Sequence, residues 1–311
     1  GGAGTLDLAG TSVTANGGGN NVNIDVDSIS GNLTGTGDNF SATVNNGTLN
    51  AGPVTSNQAS SFTNSTGNIN FTANITAGSS LTAQAPQGAV SVNSGVALNA
   101  NGGDATFNTN TLNVADGGSV STTTNLLVDP TGTTSNNINI NLAGTANLNG
   151  NAIQFVANGG GLPDGNINIG GPGTGTINSA TFIDYNLGTG NLGVDVNQII
   201  GCNRINPAAA GNPNSISFTT QTGDINFCTD LNTSQTGNAG PITVNANGGA
   251  VDLMNNNVIA SSTNGDGGNV NLSGSTGVSN GGNINTSAPN GNAGSISLNG
   301  GTGDITVLDI N

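Results

Sequence analysis

A repeat near the C-terminal end narrows the fold more than any other feature of this chain. A short phrase, Gly or Asn followed by alternating aliphatic residues, begins at Asn214, Gly240, Gly268 and Gly294, at spacings of 26, 28 and 26. A second glycine follows each start after nine residues, at Gly223, Gly249, Gly277 and Gly303, with the same spacings. Two interleaved phrases on one period describe one structural unit copied along an axis, which is the mark of a solenoid.

The unit at residues 240–267 shows what is copied. Ile242 and Val244 alternate with Thr243 and Asn245; Asn247, Gly248 and Gly249 form a turn; Val251 and Leu253 alternate again. Val258 and Ile259 make a third short apolar piece before a polar, Gly-rich stretch. The later units follow with Val270 and Leu272, then Ile284, and with Ile296 and Leu298, then Ile305 and Val307. Period-two alternation marks half-buried strands. Three short strands per unit, separated by corners, make one turn of a parallel β-helix. Gly and Asn are expected at the corners because such positions often need positive φ. Elsewhere the pattern is less regular: the phrases at Gly67 and Gly88 are spaced by 21, those at Gly165 and Gly175 by only ten. Shorter turns are therefore expected toward the N-terminus. The fold class is all-β, a parallel β-helix (β-solenoid) of about 11–14 turns at roughly 22–28 residues each. No linker or composition break appears, so residues 1–311 read as one domain, most regular over 214–311.

Composition removes several classes of function. The chain has 53 glycines among 311 residues, 3% aromatic and 5% charged side chains, and a net charge of −15. All acidic residues are aspartates, and Arg204 is the only basic side chain. Such a Gly- and Asn-rich chain resembles disordered sequence, but its 33% hydrophobic residues alternate, as in Val22, Ile24, Val26 and Ile138, Ile140, Leu142. A nucleic-acid partner is excluded because nothing neutralises phosphates. Docking on anionic membranes lacks its Lys/Arg clusters. No apolar run approaches the ~18–20 residues of a transmembrane segment. The start, Gly-Gly-Ala-Gly, shows no leader, so the chain reads as a mature or excised segment.

The stretch Gly-Gly-Asn-Ile-Asn-Thr-Ser-Ala-Pro-Asn-Gly-Asn-Ala-Gly-Ser-Ile-Ser-Leu, residues 281–298, resembles the repeats of filamentous-haemagglutinin-type exoproteins, the bacterial surface adhesins exported by two-partner secretion. The resemblance is clearest over residues 214–311. It implies a right-handed parallel β-helix, an extracellular or cell-surface location and an adhesive or fibrous role. The secretion domain of that family carries an Asn-Pro-Asn-Gly-Ile-type motif. Here Asn212, Pro213, Asn214, Ser215 and Ile216 are similar, with Ser for Gly and far from the N-terminus. They read as a corner, which implies that the secretion-targeting region is not in this chain.

Cys202 and Cys228 are spaced by one period of the repeat, in similar surroundings. That register sets Cys202 beside Cys228 on adjacent turns, and Arg204 beside Asp230. A disulfide is expected, with two small buried hydrophobes as the bland reading, and an extracellular setting favours the bond. A register that treats residues 207–210 as an insertion moves the cysteines apart.

Catalytic machinery is scarce. The chain has no His, so general acid–base chemistry would fall to aspartates and a tetrahedral zinc site lacks ligands. Asp224 and Asp304 share a Thr-Gly-Asp-Ile phrase, and Asp25 and Asp27 flank Val26. Clustered aspartates hydrolyse glycosides or bind calcium, but solvated corner carboxylates are the simpler reading. Sequons such as those at Asn32 and Asn70 arise by chance in an Asn/Thr-rich chain. No enzyme activity, metal or cofactor is expected. The reading is a structural fibre or surface adhesin segment with a cell-surface or glycan ligand; a polysaccharide-binding or -cleaving β-helix such as a phage tailspike is the alternative. An ice-binding solenoid needs regular Thr ladders, which the irregular Thr spacing does not supply. Arg204 is the one trypsin-type cleavage point.

The ends look like cuts through the repeat. Residues 1–8 match 291–298, and 308–311 resemble 282–285. The solenoid is expected to continue, within a longer chain or by head-to-tail stacking of copies.

Overall fold

Period-two alternation becomes parallel ladders in a computed structural model, which describes residues 5–6, 13–130, 136–157, 165–171, 174–207 and 211–311. Among these residues there is no helix; short strands stack in parallel as a β-solenoid of about 12 turns. No helix is long and apolar enough to cross a membrane. The chain divides into two compact units, Gly1–Leu162 and Pro163–Asn311.

In the first unit each inward position forms a column through successive turns. One runs Leu49, Ile69, Val90, Leu112, Ile140, and a second Val54, Ile75, Leu98, Val120, Leu148. All ten are at most 1% exposed. A third column runs Ala42, Phe62, Ala83, Phe107, Val128, Phe155. Turns lie ~4.8 Å apart, and in this column phenylalanines alternate with smaller Ala or Val residues. Phe62 meets Phe71 edge-on at 5.2 Å in the same interior. Seven of the eight phenylalanines are fully buried this way, so a 3% aromatic content suffices for a narrow core. The turns are short here: Leu49, Ile69, Val90 and Leu112 follow one another at spacings of 20, 21 and 22.

The second unit repeats the plan with longer turns. Its first column is Ile167, Leu192, Ile216, Ile242, Val270, Ile296. Another is Ile225, Val251, Val278, Ile305, and a third Leu231, Val258, Ile284, Ile310. Ile242, Val244, Val251, Leu253, Val270 and Leu272 are completely buried. Ile296 and Leu298 occupy the same columns in the last turn and stay half-buried.

The expected positive φ is found at corner glycines such as Gly223, Gly277 and Gly301, but the glycines that start the first phrase have another cause. Gly240, Gly268 and Gly294 do not have positive φ; the carbonyl oxygen of Asn214, Gly240 or Gly268, one turn earlier, sits where a Cβ would stand. Stacking demands these glycines. Among the described residues the one non-glycine with positive φ is Met254, at 52°. Asn does other work. An Asn or Asp just before a strand turns its side-chain oxygen toward the next turn and accepts a backbone N–H there. Asn68 accepts from Ala89 at 2.8 Å, Asn74 from Ala97 at 2.8 Å, Asp224 from Ala250 at 2.7 Å and Asn269 from Ser295 at 2.9 Å. The chain bends away from the ladder at these points, and the side chain supplies the acceptor the backbone no longer offers. Each such bond contributes about 1 kcal/mol. The acceptors at these four corners are all Asn or Asp.

Candidate functional site

Most aspartates are spent on corners. Asp104 accepts from Thr124 Oγ1 at 2.7 Å and from the Asn125 N–H at 3.0 Å, and these bonds hold its carboxyl below the usual value, the Thr124 hydroxyl contributing most. Asp116 is lowered likewise, chiefly by the Thr145 N–H at 2.8 Å. Asp27 accepts from Asn46, while Asp25 is exposed on its strand. Asp224 and Asp304 share a column with Ala250 and Gly277 between them, so no carboxylate pair forms there. Among the described residues no group of three or more His, Cys, Asp or Glu side chains is placed to hold a metal ion.

Chemistry concentrates instead in the second unit, where two long strands, Thr176–Leu187 and Gln198–Pro207, lie in parallel. Their register slips between Asn178 and Phe182. Ser179 Oγ donates to the Phe182 carbonyl at 2.8 Å, and Gly201 opposite takes φ of 121°, where side chains are strained. Beyond the slip the outward residues pair directly: Phe182 with Cys202, Asp184 with Arg204, Asn186 with Asn206.

Arg204 binds Asp184 through two parallel bonds, Nε to Oδ1 at 2.7 Å and Nη2 to Oδ2 at 2.8 Å. Its guanidinium lies 3.5 Å from the ring centroid of Phe182, the one phenylalanine that is not fully buried. Asn206 Nδ2 donates to both Asp184 and Asn186. The Asp184 carboxylate, 3% exposed, thus has charge-assisted partners for both oxygens. That hydrogen bonding raises the Arg204 pKa further. On the inward side, Tyr185 donates to Asn203 Oδ1 at 3.0 Å, and Asn203 Nδ2 donates to the Asn226 carbonyl at 2.9 Å. Burial pushes the Tyr185 phenol well above its usual pKa, so it stays a neutral donor. Tyr185, Phe218 and Phe227 pack edge to face at 5.4 and 5.0 Å.

Cys202 and Cys228 are joined by a disulfide with Cα atoms 5.8 Å apart. The expected register was wrong in detail. Cys202 pairs with Asn226 and Asn203 with Phe227, so the bridge runs diagonally, two residues along the neighbouring turn. A shift of two keeps both cysteines on the outward face, where Cys228 is exposed and Cys202 half-buried. Arg204 consequently meets Asp184 on the preceding turn, not Asp230. Asp230 accepts from the Asn257 N–H at 2.7 Å. The signal for the true pair was present: Phe182, Asp184 and Asn186 alternate as Cys202, Arg204 and Asn206 do one turn later, with opposite charges at the centre.

The strand ladder toward the next turn ends at this point. It comprises Cys202 and Asn203; the Cys228 N–H donates to the Asn203 carbonyl, and the Ile205 N–H then turns to Thr229 Oγ1 at 2.8 Å. The disulfide staples the turn where the backbone pairing stops. Beside it lies a groove of about 470 Å³ lined by Ile205, Pro213, Cys228, Thr229, Asp230 and Asn256, among others. Asp230 is the one carboxylate in its lining, whereas glycoside hydrolysis needs two. A neighbouring groove, about 390 Å³, is lined by Asn212, Ser234, Gln235, Thr236, Ser261 and Thr263. Pro213 of the Asn-Pro-Asn phrase lines the first groove and Asn212 the second. In comparisons with known proteins, the chain matches no family model, no curated protein and no solved structure.

Proposed function

We propose that this chain is a segment of an extracellular β-solenoid fibre or bacterial surface adhesin. The observation that carries the reading is the stack itself. Successive turns bury one another through the same columns, so the unit lengthens by repetition without new chemistry. Mechanical continuity comes from the ladders, the corner Asx bonds and amide stacks such as Asn141 on Asn113 at 2.7 Å. The disulfide suits an oxidising location, and the resemblance to filamentous-haemagglutinin-type repeats points the same way. The last turn presents Ile305, Leu308 and Ile310 at 46%, 71% and 53% exposure. A further turn laid on that edge, from more chain or from a second copy, buries them as Val278 and Ile284 are buried one turn below. Unpaired ladder edges favour such addition. Electron microscopy with sedimentation velocity across a concentration series tests it: end-to-end particles lengthening with concentration support stacking. Single particles of one length at all concentrations refute stacking and leave continuation within a chain.

The second reading, glycan binding, draws on the two adjoining grooves. Their lining is rich in amides and hydroxyls and has no cation, which suits neutral sugars. Titration with neutral oligosaccharides that leaves the amide resonances of Thr229 to Thr236 unmoved removes it.

A further inference from the structure

Arg204 is the single basic side chain of 311 residues. A protease that reads a basic residue before the scissile bond therefore has one place to act, the Arg204–Ile205 peptide. The two sides of that bond differ. On one side the strand is fully paired, Asp184 against Arg204 and Tyr185 against Ile205. On the other side strand pairing stops at Asn203, and Ile205 borders an open groove. On that side the Ile205 N–H is held by the Thr229 hydroxyl at 2.8 Å, a single bond that an extended segment adding to the strand must displace.

The side chain, however, is already taken. Trypsin-like enzymes hold a substrate cation with a carboxylate at the base of the specificity pocket. Asp184 offers the same group to the same guanidinium, in two parallel hydrogen bonds at 2.7 and 2.8 Å, with the Phe182 ring against its face. An enzyme must break this clamp before it can bind the side chain.

The disulfide adds the third element. Cys202 precedes the bond and Cys228 follows it. Hydrolysis adds one water across the amide, leaving a carboxylate on Arg204 and an amine on Ile205, and does not touch the sulfur–sulfur bond. Residues 1–204 and 205–311 remain covalently joined.

We propose that Arg204–Ile205 is a latent processing bond for an arginine-directed serine protease, closed by Asp184 and spanned by Cys202–Cys228 so that the cut molecule stays whole. Residue 204 becomes a new C-terminus beside the groove, and Ile205, buried in the intact chain, becomes a free N-terminus at its wall.

Trypsin is the probe, applied to the full chain and to Asp184→Asn, with initial rates followed by intact mass. The native chain is cut slowly, once, after Arg204. Asp184→Asn is cut at least tenfold faster. The cut product gains the mass of one water and separates into two fragments only after reduction. If Asp184→Asn loses the native melting transition, Phe182→Leu, which removes the ring and leaves the ion pair, carries the test with an expected gain of about threefold. Equal rates for the folded variant and the native chain overturn the clamp, as does native cutting at the rate of an unfolded peptide. Fragments that part without reductant overturn the bridge.

Discussion

The two compact units solve the same stacking problem differently. In the first, turns as short as the step from Leu49 to Ile69 follow one another in close register, and Ala and Phe alternate down a column. Among its described residues neither a disulfide nor an ion pair crosses between turns. In the second, turns grow as long as the step from Ile242 to Val270, and pairing between the Gln198–Pro207 and Ile225–Phe227 strands shrinks to Cys202 and Asn203; there the chain adds a disulfide and an Asn203 Nδ2 bond to the Asn226 carbonyl, while the bidentate ion pair and the Tyr185–Asn203 bond lie on the fully paired side toward the preceding turn. At Cys202 and Asn203, where the ladder toward the next turn is only two residues long, a covalent link and the Asn203 side chain also join the two turns.

The largest effects are expected in the cores. Val270→Asp puts an unpaired charge in a fully buried column and is expected to cost about 4 kcal/mol or more. Asn271→Asp, outward and exposed one residue on, should change stability by less than about 0.5 kcal/mol. Equal losses in urea unfolding mean that the strand phase is wrong. In the first unit Phe107→Ala removes a ring seated between Ala83 and Val128 and should cost about 3–5 kcal/mol. A loss under about 1 kcal/mol contradicts the alternating packing.

Next in size is the bridge. Opening a 26-residue loop should cost about 3 kcal/mol in the chain-entropy account. Hydrogen exchange after mild reduction should rise around residues 202–232 and stay unchanged in the first unit. Alkylation of the folded, unreduced protein read by intact mass is the direct check. Two freely modified thiols sink both the bond and the contrast between the units.

A smaller effect concerns Met254. Its left-handed backbone carries a half-exposed side chain, and Met254→Gly should stabilise by about 0.5–1 kcal/mol. An unchanged melting midpoint contradicts strain at that corner.

The smallest concerns acid. Asp104 and Asp116 have lowered pKa values in the fold, from Thr124 and Thr145 respectively, so each contributes stability that is present above the ordinary carboxylate value of 3.8 and is lost as pH falls through the lower folded value. Asp104→Asn and Asp116→Asn keep a side-chain acceptor and should flatten this acid limb slightly. Variants whose stability falls as steeply below pH 4 as the native chain remove these corners from the account. Both sites belong to the first unit, so the limb reports corner bonding without the clamp.

Val244, Leu272 and Ile284 were identifiable as core from alternation alone, and residues 308–311 as the counterpart of 282–285, which the ladder places side by side. The counterpart proposed for residues 1–8 lies outside the described residues apart from Thr5–Leu6. The role of Asn at corners was misread as backbone tolerance, because a sequence shows which residue occupies a corner but not which N–H stands one turn above it. Arg204 was assigned to the wrong carboxylate for the same reason, and Phe182 and Tyr185 were not recognised as part of its site.

The class of structure follows from residue order. Strand pleating has a period of two and involves only neighbouring residues, and a long-period repeat of the same phrase demanded stacked turns. Tertiary structure alone decided which residue lies above which. That offset is the accumulated length of every corner between two strands, and a change of two residues leaves each side chain on its own face while giving it a new neighbour. Asp184 rather than Asp230 beside Arg204, and a diagonal rather than a level disulfide, are the consequences.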